Sequence, residues 1–206
     1  MTQKMKSIIP KKSKPVKQEP PMLTFASTKE FTSWMAKHHK VSAGIWLKHF
    51  KVKSGTPTIT YAEALDVALC YGWIDGQKKA FDAESWLQKF TPRRPKSIWS
   101  KRNKEHVARL EKSGRMKAAG LKEVKAAKAD GRWEQAYDSP RNITVPKDFL
   151  NELTKNKKAE VFFKTLNKTN IYSIAWRLQT AKKPETRSKR MKTILEMLKK
   201  GEKFHP

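Results

Sequence analysis

The chain has 206 residues, and its 46 Lys and Arg against 19 Asp and Glu give a formal net charge of +27. Seven Trp and nine Phe supply large side chains for a folded core, so the composition is not that of a disordered chain. The single cysteine, Cys70, excludes an internal disulfide and a metal site built from several cysteines. No apolar run approaches the ~18 residues of a membrane-spanning helix.

The first 21 residues differ in composition from the rest of the chain. They contain six Lys, four Pro, one Glu and no aromatic residue. Such a segment buries too little apolar surface to offset the entropy lost on ordering, so we predict a flexible basic tail over residues 1–21. It also lacks the apolar run of a signal peptide, which favours a cytoplasmic location.

Residues 22–140 mix helix and strand signals. Two capping-box patterns, "STKE" at 27–30 and "TYAE" at 60–63, predict helix starts, and the second helix carries Cys70 as a small buried residue. "GIWLKHFK" at 44–51 predicts a strand. "WIDGQKKAF" and "SWLQKFT" predict two paired strands around the turn residues "DAES".

The segment "FTPRRPKSIWSKRN" at 90–103 is the most cationic stretch that leads into a predicted helix. Its prolines keep the chain extended, and Ser97 or Ser100 then caps a helix. Trp99 is predicted to lie on the buried face of that helix as a core anchor rather than a base-stacking platform. From 93 to 117 there are ten Lys or Arg against two Glu, which is more than a neutral solvated helix needs.

These cations are the predicted anion-binding residues. Their partner is expected to be an anionic macromolecule, either nucleic acid or an acidic protein. The alternative is a solvated surface that serves solubility alone, and a concave basic cleft beside Trp73 or Trp86 would favour a site over that alternative. The predicted residues are Arg93, Arg94, Lys96, Lys101 and Arg102, with Lys78 and Lys79 nearby if the hairpin folds back.

Motifs of catalysis are missing from the sequence. There is no phosphate-binding glycine loop, no HExxH pattern and no G-x-S-x-G elbow, so we predict neither cofactor nor metal and expect a non-enzymatic protein. The acid–base candidate is Asp75, near Lys78 and Lys79. The alternative interpretation of Asp75-Gly76 is a turn or a bulge.

From residue 141 onward the pattern is purely helical. Pro146 stands at a helix start, and the last predicted helix places Met191, Ile194, Leu195 and Leu198 on one face. The predicted fold class is therefore α+β: a small mixed sheet with packed helices over 22–140, followed by an all-helical domain over 141–206.

Several long motifs resemble one known family. "YGWIDGQ", "FTPRRPKSIWS" and "AKKPETR" look like the bacterial YdeI/OmpD-associated family, also called bacteriocin-protection or OmdA-type proteins, and the resemblance runs from about Leu23 to Pro206. It implies a helical C-terminal domain and a role in tolerance to bacteriocins or cationic antimicrobial peptides. It also implies an association with an outer-membrane porin and a suggested periplasmic location. No catalytic or ligand residues come with it.

Three functional hypotheses follow. The first is a stress-resistance protein that binds an anionic partner, since a chain of charge +27 repels a cationic peptide rather than capturing it. The second is a non-specific nucleic-acid-binding protein. The third is an enzyme that acts on a small anionic substrate through Asp75.

Overall fold

The structure is a computed structural model that describes residues 19–206. All but the last three residues of the predicted tail, 1–21, lie outside the described residues. The N-terminal half forms a four-stranded mixed sheet in the order β1-β2-β4-β3, which confirms the predicted small mixed sheet. The strands are β1 (Met22–Leu23), β2 (Ile45–Phe50), β3 (Trp73–Ala80) and β4 (Ser85–Pro92).

The predicted hairpin is present as β3 and β4. Its turn is held by Asp82, whose Oδ1 accepts hydrogen bonds from the Glu84 amide at 2.9 Å and the Ser85 hydroxyl at 2.6 Å. β4 also pairs antiparallel with β2, and β1 lies parallel to β2. The pairing register shifts between Asp75 and Lys78, so Asp75-Gly76 opens a bulge. β1 was not predicted, because a two-residue strand has no alternating pattern.

The first two helices of the N-terminal half begin at their predicted caps. Thr60 and Glu63 form a reciprocal capping box. Ser27 also caps its helix, but the carboxylate of Glu30 accepts its hydrogen bond from the Ala26 amide at 3.0 Å, one residue before the cap. A 3-10 turn (Val52–Ser54) follows β2. The helices are α1 (Thr28–His38), α2 (Tyr61–Cys70), α3 (Lys101–Lys112) and α4 (Ala118–Ala129).

The start of α3 corrects one prediction and decides another. Ser100, not Ser97, is the N-cap, and its hydroxyl accepts a hydrogen bond from the Asn103 amide at 3.1 Å. Trp99 therefore lies before α3 and not on its face. Its side chain is 1 % exposed, as expected of a core anchor.

The core of the N-terminal half surrounds α2. Every residue of α2 from Ala64 to Cys70 is buried, because one face meets α1 and the sheet while the others meet α3 and α4. Cys70 is buried as predicted. Trp73 and Phe90 reach the same core from the sheet.

Helices alone make up the C-terminal part, which confirms the predicted fold class. Their apolar faces form a second core that includes Phe149, Ile174, Ile194 and Leu198. The predicted division at residue 140 stays a prediction, although the two cores contain different residues. The helices are α5 (Lys147–Thr154), α6 (Lys157–Lys164), α7 (Lys168–Gln179) and α8 (Pro184–Lys199).

Candidate anion-binding cleft

Arg93, at the end of β4, is not on the surface where a contact residue was expected. Its side chain is 7 % exposed, and its Cζ lies 3.5 Å from the centroid of the Trp99 ring. Nη1 donates a hydrogen bond to the Ile98 carbonyl at 3.3 Å. Burial lowers the pKa of Arg93 to about 10, so the guanidinium remains charged at neutral pH.

Two donors of this buried cation are unused. Among the described residues, neither Nε nor Nη2 of Arg93 has a hydrogen-bond acceptor, and Arg93 forms no ion pair with a described carboxylate. A buried charge without a partner is costly, and such groups are rare in native proteins unless they have a functional role. These two atoms are closed to solvent, so Arg93 contributes a buried positive charge rather than open donors for a ligand.

Arg93 lines a cleft of about 710 Å³ beside Trp73, which we call the Trp73 cleft. It lies between the end of α1, the end of β4 and the start of α4. Its floor includes Tyr71, Trp73 and Pro92. Its cations are Arg93, Lys40, Lys117 and Lys122, with His39 beside them and Glu123 as the acid in the lining. The cleft is thus concave and predominantly basic.

Two glycines bring the walls of this cleft together. A Cβ on Gly120 would lie 2.4 Å from the Cys70 carbonyl oxygen, so only glycine lets the start of α4 meet the end of α2. Gly72 has a φ of +75°, and its Cβ would lie 2.9 Å from the Ala119 carbonyl oxygen. The Lys117 amide completes this contact by donating to the Cys70 carbonyl at 3.1 Å. Lys117 and Lys122 are thereby held at the rim.

The remaining cations of the predicted segment point elsewhere. Arg94 and Lys96 are exposed in a turn in which the Ser97 amide donates to the Arg94 carbonyl at 3.0 Å. Lys96 has a φ of 64°, a left-handed conformation that is costly for lysine. Neither residue lines the Trp73 cleft.

Lys101 and Arg102 also have other neighbours. The Lys101 ammonium pairs with the Asp138 carboxylate at 2.7 Å, and the Asp138 amide donates a hydrogen bond to the Gln179 side chain of α7 at 3.1 Å. Lys101 is thus part of a contact between the two halves of the chain. Arg102 lies over the ring of Tyr61, with Cζ 5.8 Å from its centroid.

Lys78 and Lys79 lie on opposite faces of the sheet. Lys78 faces the helices, with its ammonium 4.2 Å from the centroid of Trp86. Lys79 faces away from them, with its ammonium 4.2 Å from the centroid of Trp46. The two lysines therefore do not form one patch, and neither lines the Trp73 cleft.

Asp75, the acid–base candidate, accepts a hydrogen bond from the Tyr61 hydroxyl at 2.7 Å. Burial, followed by the charge of Asp75, raises the pKa of Tyr61 well above its usual range. The contact joins α2 to β3. Asp75 thus has a structural partner. Lys78 and Lys79, which were expected beside it, lie farther along β3 on opposite faces of the sheet.

Sequence reasoning missed Lys40, which follows α1, and Lys117 and Lys122 at the start of α4. One signal was available: the start of α4 reads "KAAGLKE", with lysines where helix starts usually have a capping residue or an acid. Within residues 19–206, no helix has both the length and the hydropathy of a membrane span. In the same residues, no group of three or more His, Cys, Asp or Glu is placed to hold a metal.

Comparison with known protein families gives one match in each part of the chain. Residues 142–201 match the family described as Bacteriocin-protection, YdeI or OmpD-Associated. Residues 23–123 match a domain of unknown function, DUF8412. Searches of curated proteins and of solved structures gave no match.

Proposed function

Since residues 142–201 match the bacteriocin-protection, YdeI- or OmpD-associated family, we propose that this protein contributes to tolerance of bacteriocins or other antimicrobial stress. In this proposal it is not an enzyme and acts by binding an anionic partner in the Trp73 cleft. The supporting observation is the charge of this concave cleft, whose lining carries three lysines and Arg93 against one acid, Glu123.

The charge of the chain argues for an indirect effect on antimicrobial peptides. A cationic peptide is repelled by a surface of net charge +27, whereas an anionic partner is attracted to it. Attraction by exposed lysines is screened beyond ~8 Å at physiological salt, so affinity depends on the groups that line the cleft. Binding of the anionic partner, rather than capture of the peptide, is therefore the proposed activity.

Two sets of charge reversals test this proposal. The cleft variant carries Lys40→Glu, Lys117→Glu and Lys122→Glu, all at exposed positions. The control variant carries Lys53→Glu, Lys112→Glu and Lys125→Glu, which are also exposed, lie outside the cleft and change the net charge equally.

The chain and both variants are purified from bacteria, and the retained anionic compounds are identified by mass spectrometry. The proposal expects an anionic compound on the parent and the control variant that the cleft variant has lost. The same variants are expected to differ in a bacterial growth assay with a bacteriocin. Expression of the parent or the control variant should raise the inhibitory concentration of the bacteriocin, whereas expression of the cleft variant should not. Equal retention by both variants would overturn the proposal.

A second candidate function is supported by the outer face of the sheet, which we define by Trp46, Lys48, Phe50, Lys79 and Lys89. The strand register places these side chains on the side opposite α1 and α2. The ammonium groups of Lys79 and Lys89 lie 4.2 Å and 5.2 Å from the centroid of Trp46. Trp46 is buried, but the Lys48 ammonium lies 4.8 Å from the centroid of the exposed Phe81 ring, and exposed aromatic rings among cations are a feature of single-stranded nucleic-acid binding.

This second candidate makes a separate prediction. A single-stranded RNA should bind with an affinity that falls steeply with salt, and Lys79→Gln with Lys89→Gln should weaken it. The matched control is Lys125→Gln with Lys128→Gln on α4. An affinity that does not depend on salt would contradict nucleic-acid binding at this face.

A further inference from the structure

A second concave site, beyond the one in the proposed function, lies between α7, α8 and the segment that follows α8. Its volume of about 530 Å³ falls within the ~300–1,000 Å³ usual for small-molecule sites, and we call it the Trp176 groove. No residue lines both this groove and the Trp73 cleft. We infer that the Trp176 groove binds a small hydrophobic carboxylate, with the carboxylate against Arg177 and Arg190 and the hydrocarbon on the apolar floor.

The floor of the groove is apolar and comes from three elements. Trp176 lies on α7, Ile194 on α8 and Phe204 in the segment after α8. Ile194 belongs to the second core, whereas Trp176 and Phe204 are partly exposed. A hydrocarbon that covers the exposed parts of these two rings removes apolar surface from water, which favours binding.

The segment after α8 is anchored to α7, so Phe204 is held in the groove. The His205 amide donates a hydrogen bond to the side-chain oxygen of Asn170 at 3.0 Å, and the Asn170 side-chain nitrogen donates to the His205 carbonyl at 3.3 Å. The Ser173 hydroxyl lies 2.8 Å from His205 Nε2. Asn170 and Ser173 are both buried in α7. The groove is therefore formed before a ligand arrives, which lowers the entropy cost of binding.

Two arginines of the groove are oriented by contacts that leave donors free. The Cζ atom of Arg177 lies 4.1 Å from the centroid of the Phe204 ring. Stacking uses the face of the guanidinium and leaves the N–H groups in its plane available. Nη1 of Arg190 donates to the Arg177 carbonyl at 2.7 Å and to the Thr180 hydroxyl at 3.2 Å. Nε and Nη2 of Arg190 have no acceptor among the described residues.

These free donors can be reached by a ligand. Unlike the unused donors of Arg93, those of Arg177 and Arg190 are not among the side-chain atoms closed to solvent. Lys189 adds a third cation to the lining, and no acid lines the groove. Within residues 19–206, none of these three cations forms an ion pair. An apolar floor beside unpaired cations is complementary to a ligand that has an apolar body and a negative charge.

The groove disfavours two simpler kinds of ligand. A bare inorganic anion would leave Trp176 and Phe204 uncovered, and a neutral hydrocarbon would cover guanidinium donors without giving them an acceptor. A carboxylate accepts two parallel N–H···O bonds from a guanidinium in one plane. A carboxylate on a hydrocarbon chain therefore uses both the floor and the arginines.

The test follows the backbone amide and Trp indole signals of the ¹⁵N-labelled full chain during titration with octanoate, 1-octanol and acetate. The inference expects saturable shifts of the Trp176 indole and of the Thr193 and Phe204 amides with octanoate. 1-Octanol, which has the same chain length and no charge, should bind about tenfold more weakly, and acetate should give no saturable shift of these signals. Equal affinities for octanoate and 1-octanol, saturable binding of acetate at these residues, or shifts confined to other residues would overturn the inference.

Arg177→Gln tests the contact with the carboxylate. It should weaken octanoate binding about tenfold and leave 1-octanol binding within about twofold, so that the preference for the charged ligand disappears. A variant that binds both ligands equally less tightly would show that Arg177 only shapes the groove, which would contradict the inferred contact.

A matched pair of substitutions on α8 tests the location of the site. Thr193 lines the groove and Ser188 does not, and both are exposed. Thr193→Trp should fill the groove and weaken octanoate binding about tenfold or more, whereas Ser188→Trp should leave the affinity within about twofold. Neither substitution changes the net charge. Equal octanoate affinities of the two variants would refute the location.

Discussion

The Cζ atom of Arg93 lies 3.5 Å from the centroid of the Trp99 ring, and Trp99 in turn meets Trp133 edge-on with centroids 4.9 Å apart. The Trp99 ring holds the guanidinium in place without an ion pair. Such a cation–π contact contributes ~1–2 kcal/mol in a desolvated setting. It does not satisfy the unused donors Nε and Nη2. The position of Arg93 is therefore fixed by Trp99 and the Ile98 carbonyl, and its positive charge adds to that of the Trp73 cleft.

The contact between α2 and α4 depends on Gly120. Gly120→Ala should lower the free energy of unfolding by about 3 kcal/mol, because its Cβ would lie 2.4 Å from one backbone carbonyl oxygen and 2.6 Å from another. The control is Gly76→Ala, whose Cβ would have its nearest neighbour at 3.8 Å and which should change the stability by less than about 1 kcal/mol. Urea denaturation measures both, and equal effects would refute the close approach.

Asp66 joins α2 to α3 and should make stability dependent on pH in the acid range. Its carboxylate accepts hydrogen bonds from His106 Nδ1 at 2.7 Å and Arg109 Nη2 at 2.7 Å. Burial opposes ionisation, but the hydrogen bonds from Arg109 and His106 outweigh it and lower the pKa of Asp66. Asp66→Asn should therefore cost about 2 kcal/mol at neutral pH.

The sign of this pH dependence follows from the direction of the shift. A folded-state pKa below the unfolded value of about 3.9 stabilises the protein above that value, and the effect is lost as the pH falls through the folded pKa. Urea denaturation at about pH 7 and about pH 3 measures the difference in unfolding free energy between the parent and Asp66→Asn. This difference should be smaller at the lower pH. A gap that widens in acid would contradict this assignment.

His49 should act in a different pH window. Its side chain is 2 % exposed, and burial lowers its pKa. The unfolded chain then takes up a proton near pH 6.5 while folded His49 stays neutral, so stability falls as the pH decreases below about 6.5. In His49→Leu the loss of stability between about pH 7 and about pH 5 should be smaller than in the parent. Equal slopes of the unfolding free energy against pH would show that His49 does not contribute.

The fold was largely predictable because its signals are local. The Thr60–Glu63 capping box, the turn at Asp82 and the buried face that carries Cys70 each depend on a few neighbouring residues. The cleft depends instead on segments far apart in the sequence, since Lys40 follows α1 and Lys122 lies in α4. In the sequence, Arg93 was recognised as a candidate only because it lies in a dense run of cations.

Charge density did not foresee where each cation would lie. Burial of Arg93 results from its contact with Trp99, and Lys101 pairs with Asp138, 37 residues later in the chain (138 − 101). Neither partner is visible in a count of charges. Binding of an anionic partner and the cytoplasmic location both stay predictions.

The central claim, that the Trp73 cleft with its buried Arg93 binds an anion, is tested most directly by the unfolding free energy of parent and Arg93→Met with and without inorganic phosphate. Without ligand, Arg93→Met should be as stable as the parent or more stable, because a buried unpaired charge is replaced by an apolar chain of similar length. With phosphate at ~100 times its dissociation constant for the parent, the parent should gain about 2.7 kcal/mol and the variant less, because the cleft has lost one positive charge. A variant that is less stable without phosphate yet gains as much from phosphate as the parent would contradict the claim.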